Sequence, residues 1–451
     1  MAQKQYSPTR VLFFGDSAPS GFGTVTRNLG AGLLDLGLDV RFISQNELGD
    51  ALPERFKPRT VDAMSLRNVH NILSGEQGAV PSDIVGDLVR GTTPATMVDG
   101  SAWGAWKPQA VLLLGDYMAT RILVAQAHEA FAAVPTFHYI PIEGVDLPPA
   151  WGEMWEFIHP VAMSKFGAAE IGKVTGTDPP VIYHGVNTDE FHPISPRTPL
   201  VMSNGTDKDV KLRTRAECKA MWATYFGAGK DRPIPITWAL RTDRHMPRKR
   251  YTSLFRAMLP VLVHRPDVAL VIHCRIYDQG GNLEDTISKI PGARQLLPDK
   301  EGGPRGYAIL DRSHPQILLT NAPGMGLEAL VSLYNAADLY VTVSAEGFGL
   351  TIAEAAACGT AVLAMDYSSV PEVVGPAGRL VPVAGLIDNE YDHAWAAVDE
   401  PAFARAAEYL LTHQARREEL GRRGPRHVAQ SFSWRTAAEQ FAALISGAVE
   451  G

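Results

Sequence analysis

The stretch Leu339-Tyr-Val-Thr-Val-Ser-Ala-Glu346-Gly347-Phe348-Gly349-Leu350-Thr351-Ile352-Ala353-Glu354-Ala-Ala-Ala-Cys358-Gly359 decides the fold class. An apolar, β-branched run is cut by two glycines, and an alanine-rich stretch with high helix propensity follows, ended by another glycine. This pattern predicts a strand, a tight turn and a helix beginning near Leu350. Backbone N–H groups and the positive end of the helix then meet where the strand stops, which makes an anion site. Gly347 and Gly349 allow a ligand close to the backbone, and Glu346 and Glu354 flank the turn. Two such carboxylates suit vicinal hydroxyls, one pair on a sugar and one on a ribose. The plain structural reading is a tight β–α turn with Glu354 as a favourable charge in the first helical turn.

Working outward, apolar runs at Pro235–Leu240, Val268–Cys274, Gln316–Thr320, Leu339–Val343 and Ala361–Ala364 each lead into a helix or turn signal. The first half repeats the alternation, with runs at residues 11–14, 40–43, 110–114, 136–140, 160–163 and 181–183. Short buried strands alternating with helices predict parallel sheets covered on both faces. The chain therefore reads as α/β, two tandem Rossmann-like domains. The expected division is 1–194 and 195–431. The final segment from Ser433 places Trp434, Ala437, Ala438, Phe441 and Leu444 on one helical face that needs an apolar partner.

A second constellation follows the strand Pro235–Leu240: Asp243-Arg244-His-Met-Pro-Arg248-Lys249-Arg250. Four cations at one strand end can neutralise a diphosphate, arginine through forked hydrogen bonds and lysine as a point charge. A solvated basic loop is the alternative. A third is Gly15-Asp-Ser-Ala-Pro-Ser-Gly21-Phe22-Gly23-Thr24, a glycine-bearing loop between the first strand and helix. Thr26 stands where the third glycine of a dinucleotide fingerprint belongs, which disfavours dinucleotide binding. His138, at the end of the run 136–140, is either a ligand to the reacting sugar or a satisfied structural histidine.

Glu346 through Glu354 resembles the E-x7-E signature of retaining glycosyltransferases of the GT-B fold, the group often called family 4 or glycosyl transferases group 1. The resemblance extends from the Gly21 loop to the terminal helix. It implies two Rossmann-like domains facing across a cleft, with the C-terminal helix 432–451 crossing back to the first. It implies transfer of a sugar from a nucleoside-diphosphate sugar, with configuration retained and no metal or resident cofactor. Glu346, Arg244, Lys249 and His138 are then the catalytic candidates. Gly21, Gly23, Gly347, Phe348, Gly349, Leu350, Thr351 and Glu354 are the donor-binding ones. Arg241 competes with Arg244 as the diphosphate arginine. Base recognition is expected near Thr320-Asn-Ala-Pro-Gly324. A sugar phosphorylase, a nucleotide-sugar epimerase or a non-catalytic nucleotide-sugar binder are the rival readings.

Bulk properties bound the rest. A chain of 451 residues, 45% hydrophobic and 20% charged, can fill two cores. Residues 1–190 carry 13 Lys+Arg against 21 Asp+Glu and residues 191–451 carry 29 against 28, so −8 and +1 sum to the net −7. An acidic first half disfavours bare nucleic acid or an anionic membrane surface as acceptor. The acceptor itself, whether glycan, small molecule, protein or modified nucleic acid, is not encoded in any motif. Three dispersed cysteines suggest reduced thiols. The N-terminus has no apolar leader and no run is long enough to span a bilayer, so the cytoplasm is the expected compartment. Asp207-Lys-Asp209 is the one Asp-x-Asp candidate for a metal, and its polar setting favours a solvated loop.

Overall fold

The computed structural model describes residues 9–18, 20–44, 53–61, 84–91, 106–202, 209–228, 233–297, 303–321, 325–389 and 393–450. These form two compact units, residues 1–185 with 432–451, and residues 186–431. The first unit thus ends before residue 186 rather than after 194. Residues 191–194 pack on the second unit: Asn335 accepts from the Ile194 N–H at 2.9 Å and donates to the His192 carbonyl at 3.1 Å. The Phe191 ring lies against Tyr334.

In the first unit, β1 (Arg10–Gly15), β2 (Asp39–Ser44), β3 (Ala110–Leu114), β4 (Thr136–Ile140) and β5 (His159–Ala162) form one parallel sheet in the order β2-β1-β3-β4-β5. β3 and β4 are buried throughout, as strands covered on both faces must be. The run 181–183 is not a strand. Val181 makes a single bridge to Ala162, and the chain then leaves the sheet, its Ile182 carbonyl taken by the Tyr139 hydroxyl at 2.7 Å.

The order of strands reverses between β1 and β3, and the loop after β1 is built around Asp16. Its carboxylate accepts from the Ala18 N–H at 2.8 Å and the Ser20 hydroxyl at 2.5 Å, while Ser20 caps the helix Gly21–Asp35 through the Gly23 N–H. Thr26 Oγ accepts from the Asp16 N–H at 3.0 Å and donates to the Phe22 carbonyl at 2.9 Å. A residue that broke the dinucleotide pattern is therefore a brace for this loop. Gly23 has no room for a side chain, since a Cβ would overlap the Ala18 carbonyl oxygen.

The terminal helix Trp434–Glu450 belongs to this first unit. Ser433 caps it through the Thr436 N–H, and its buried face is Ala437, Ala438, Phe441, Ala442 and Ile445. Trp434 and Leu444, expected on that face, are only partly covered. Phe441 meets the Tyr139 ring edge-on, with centroids 4.9 Å apart. Ala438 sits opposite Gly32, where a Cβ would approach its own to 2.6 Å.

The second unit contains an eight-stranded sheet in the order Arg294–Gln295, Arg305–Ala308, Ile317–Leu319, Val268–His273, Thr237–Thr242, Leu339–Thr342, Ala361–Met365, Gly378–Val381. Its last six strands are parallel. In chain order those six run 3-2-1-4-5-6, the doubly wound arrangement. All five runs expected here are strands. The three additional strands are short or half exposed, and a separate hairpin joins Val383–Asp388 to Ala394–Val398. Helix Tyr251–His264 covers one face with Leu254, Met258, Val261 and Leu262 at helical spacing. Among the described residues, no helix is long and apolar enough to cross a membrane.

The docking of the terminal helix has a measurable size. Phe441→Ala is expected to destabilise the first unit by about 3–5 kcal/mol, read as faster hydrogen exchange at the β4 amides. Unchanged exchange there would mean that the helix contributes nothing to this sheet.

Candidate functional site

The reversal of strand order in the second unit falls between Thr237–Thr242 and Leu339–Thr342, which pair directly through Leu339 with Ala239 and Tyr340 with Leu240. Loops leaving the carboxyl ends of such neighbours diverge to opposite faces of the sheet and leave a crevice where ligands bind. The first loop carries Asp243 to Arg250 and closes with a short 3-10 turn, Pro247–Lys249. The second carries Ser344 to Gly349 and enters the helix Leu350–Ala357. Gly349 makes that entry with φ of 104°, a left-handed conformation that favours glycine. Ile352 and Ala353 N–H groups turn back to the Gly349 carbonyl. Those of Leu350 and Thr351, in the first helical turn, point out of the helix end.

The two loops meet in a buried ion pair. Lys249 Nζ donates to Glu346 Oε1 at 2.6 Å and Oε2 at 2.7 Å, and lies 2.9 Å from Asp243 Oδ2. Arg248 reaches Glu346 Oε2 at 3.2 Å, and the Ser344 hydroxyl donates to Oε1 at 2.5 Å. Burial alone would raise the Glu346 carboxyl, but Lys249, Arg248 and Arg241 outweigh it and hold it well below the ordinary carboxylate range. The turn itself is pinned from the next loop. Ser368 accepts from the Glu346 N–H at 2.9 Å, and the Ser369 hydroxyl lies 2.7 Å and 2.8 Å from the carbonyls of Glu346 and Phe348. Phe348 buries its ring, so only its backbone is available to a ligand.

Glu354 behaves differently. Burial pushes its carboxyl up to about 7, against the lowering effect of a 2.8 Å hydrogen bond from the Tyr334 hydroxyl and with a further rise from Asp243 and Glu190. One signature thus holds two carboxyls of opposite character, one held ionised by cations and one near neutrality.

Arg244 and Arg241 separate clearly. Arg244 is half exposed and forks onto Asp278 with contacts of 3.0 and 2.7 Å. Arg241 is completely buried beneath the site. Arg250 turns away to the Ala396 carbonyl. The cation beside Lys249 on Glu346 is Arg248, so the structure brings Lys249 and Glu346 together and sets Arg244 apart on Asp278.

His138, expected as a catalytic candidate, is fully buried in the first unit. Trp155 donates to its Nδ1 at 3.2 Å, which places the ring proton on Nε2, 3.2 Å from the Gly115 carbonyl. Burial lowers its value to about 3, so the ring is neutral with both nitrogens engaged. Both ring nitrogens are thus taken by groups of the first unit, which fits the structural alternative for His138. Gly21 opens the first helix with open space at its Cβ position, unlike Gly23. Ala322–Gly324 of the expected base loop, and Asp207 of the Asp-x-Asp, lie outside the described residues.

Sequence reasoning assigned no role to Asp243, Ser344, Ser368, Ser369, Tyr334 or Asp278. Ser344 alone carried a local signal, two residues before Glu346 and on the same side of an extended segment.

Residues 305–413 match the family model described as Glycosyl transferases group 1. The matched segment lies within the second unit. Curated relatives agree: the chain is 32% identical over 170 residues to the D-inositol 3-phosphate glycosyltransferase of Rhodococcus erythropolis, covering 34% of each chain. It is 27% identical over 237 residues to the GDP-mannose-dependent monoacylated alpha-(1-6)-phosphatidylinositol monomannoside mannosyltransferase of Corynebacterium glutamicum, covering 52% of this chain and 54% of the other. The matched regions thus span 34% and 54% of those two relatives' lengths. The solved sucrose-phosphate synthase of Thermosynechococcus elongatus aligns with a TM-score of 0.63 at 18% identity over 97% of this chain and 98% of that one. Anabaena HepE, solved in complex with UDP and glucose, aligns with a TM-score of 0.57 at 12% identity over 97% and 99%. At such identities the likeness speaks for the fold alone, and the fold is GT-B.

The raised Glu354 carboxyl makes a pH prediction. A carboxyl that holds its proton more tightly when folded costs stability as pH rises from the ordinary value of 4.5 through about 7. Glu354→Gln is therefore expected to stabilise the protein by about 1–3 kcal/mol at pH 8 and not at pH 4, in denaturant titrations at the two pH values. Equal effects at both would remove the shift.

Proposed function

We propose that this protein is a retaining, metal-independent glycosyltransferase using a nucleoside-diphosphate sugar. The observation that carries the proposal is the buried Lys249–Glu346 pair, with Arg248 on the same carboxylate, at the strand ends of the switch point. Burying charges costs free energy, and sites of chemistry are where that cost recurs. In this reading the donor diphosphate lies against the Leu350 and Thr351 N–H groups and shares Lys249 and Arg248, and Arg244 would have to leave Asp278 to join them. Glu346, released from part of its hold on Lys249, accepts from the hydroxyls of the transferred sugar. Glu354 faces the ribose.

The chemistry asks little covalent work of the protein. The bond from the anomeric carbon to the diphosphate breaks with its electron pair passing to the phosphate oxygen. The acceptor oxygen bonds the same carbon from the same face, and its proton passes to the departing phosphate. Cations and the helix end stabilise the charge developing on that phosphate, which is electrostatic catalysis. They also do the work that a divalent ion does elsewhere. His138 enters no step. Relatives named for an inositol 3-phosphate and for a phosphatidylinositol mannoside make a phosphorylated polyol the first acceptor class to try.

Hydrolysis and transfer across UDP-, GDP-, ADP- and TDP-sugars test the reading, with product configuration read by NMR. Glu346→Ala and Lys249→Ala are each expected to lower turnover by about 10²–10³-fold in a chain that still unfolds cooperatively. A chelator should leave the wild-type rate unchanged. Inverted product, a requirement for inorganic phosphate, release of an epimer, or binding without turnover would each replace this reading with another. His138→Ala is expected to lower stability by about 2–4 kcal/mol through its cavity and two orphaned partners. Loss of turnover at full stability would restore His138 to the reaction.

A further inference from the structure

Beneath the Lys249–Glu346 pair lies a second layer of charge that the proposed reaction does not use. Arg241 sits in the middle of the sheet with no exposed surface. Its Nη1 donates to Thr342 Oγ, and its Nη2 donates to Ser344 Oγ at 3.1 Å and Asp243 Oδ2 at 2.8 Å. The Tyr251 ring lies 5.7 Å from the guanidinium carbon, and the Tyr251 hydroxyl donates to the Asp243 carbonyl at 3.0 Å. Arg241 Nε has no hydrogen-bond partner among the described residues. A strand position this deep is ordinarily apolar, and a buried ion pair replaced by apolar residues of similar volume often costs nothing. Stability alone does not account for an arginine here.

Asp243 connects this layer to the site. Its Oδ2 receives both Arg241 and Lys249, and its Oδ1 accepts from the Arg244 N–H at 3.0 Å. A carboxylate held from three sides is poorly placed to act as an acid or base. Lys249 donates to both Glu346 oxygens and lies 2.9 Å from Asp243 Oδ2, so its ammonium is held between the two carboxylates. Arg241 neutralises Asp243, so that the fixed lysine keeps its charge for an anion. Ser344 is shared between the layers, accepting from Arg241 and donating to Glu346.

We propose that Asp243 and Arg241 are positioning residues: Asp243 holds the Lys249 ammonium in place for the donor diphosphate, and Arg241 cancels the charge that Asp243 brings. The inference rests on the glycosyltransferase reading for its catalytic consequence, but not for its structural one.

Three variants of the full chain separate the possibilities: Asp243→Asn, Arg241→Met, and the double variant. Asp243→Asn leaves Arg241 without its counterion and is expected to lower the melting temperature. The double variant removes both charges and is expected to melt within a few degrees of wild type. Its kcat should nevertheless stay at least about 10-fold low, with the donor KM within about 3-fold. The second readout is the side-chain ammonium resonance of Lys249 in a lysine-labelled sample, assigned by its loss in Lys249→Ala. It is expected to be sharp and slow to exchange in wild type and to broaden in the double variant. A double variant that recovers both stability and kcat, or that keeps the sharp Lys249 resonance, would overturn the proposal. If wild type turns over no donor yet the resonance broadens as expected, the positioning stands and the transferase reading falls.

Discussion

The Lys249–Glu346 ion pair is the constraint on which the second unit's arrangement turns. Two charges removed from water require close mutual contact and full hydrogen bonding, and the surrounding chain supplies both. Glu346 is held by Lys249, Arg248 and Ser344, while its own backbone is pinned by Ser368 and Ser369. For these groups to meet, two strands distant in sequence must lie side by side with their carboxyl ends level. The 3-2-1-4-5-6 order does this by placing the first and fourth strands together.

The fold also explains why neighbouring residues of the same type take different roles. Arg241, Arg244, Arg248 and Arg250 lie within ten residues of one another, yet one is buried under the site, one forks onto Asp278, one shares Glu346 and one supports a distant carbonyl. Arg241 lies on the strand Thr237–Thr242, Arg244 in the loop after it, Arg248 in the turn Pro247–Lys249, and Arg250 takes a left-handed conformation with φ of 55°. Glu346 and Glu354 diverge for the same kind of reason. The first sits among cations, and the second faces a tyrosine hydroxyl with further negative charge near it.

Much of this was legible in the sequence because it is local. The strand, glycine turn and helix around Gly347 and Gly349 follow from apolar runs and helix propensity, and the helix begins at Leu350 as expected. The parallel strands of the first sheet and five of the six in the second follow from continuous apolar runs; the half-exposed edge strand Gly378–Val381 does not. What could not be read depends on pairing across long separations. Arg241, Asp243 and Lys249 are near in sequence, but their partnership with Ser344 and Glu346 spans about a hundred residues. Short polar strands such as Arg294–Gln295 carry no periodic signal at all. The two readings of His138 could not be told apart in the sequence because the Trp155 N–H and the Gly115 carbonyl that engage its ring are placed by tertiary structure alone.

The central claim is that a nucleoside diphosphate binds where the Lys249 loop meets the first turn of the helix Leu350–Ala357. A crystal structure of the protein with UDP or GDP tests it most directly. The account predicts diphosphate oxygens within hydrogen-bond distance of Lys249 Nζ and the backbone N–H groups of Leu350 or Thr351, with a ribose hydroxyl on Glu354. A nucleotide bound elsewhere, with the Lys249–Glu346 pair undisturbed and far from any phosphate, would contradict it.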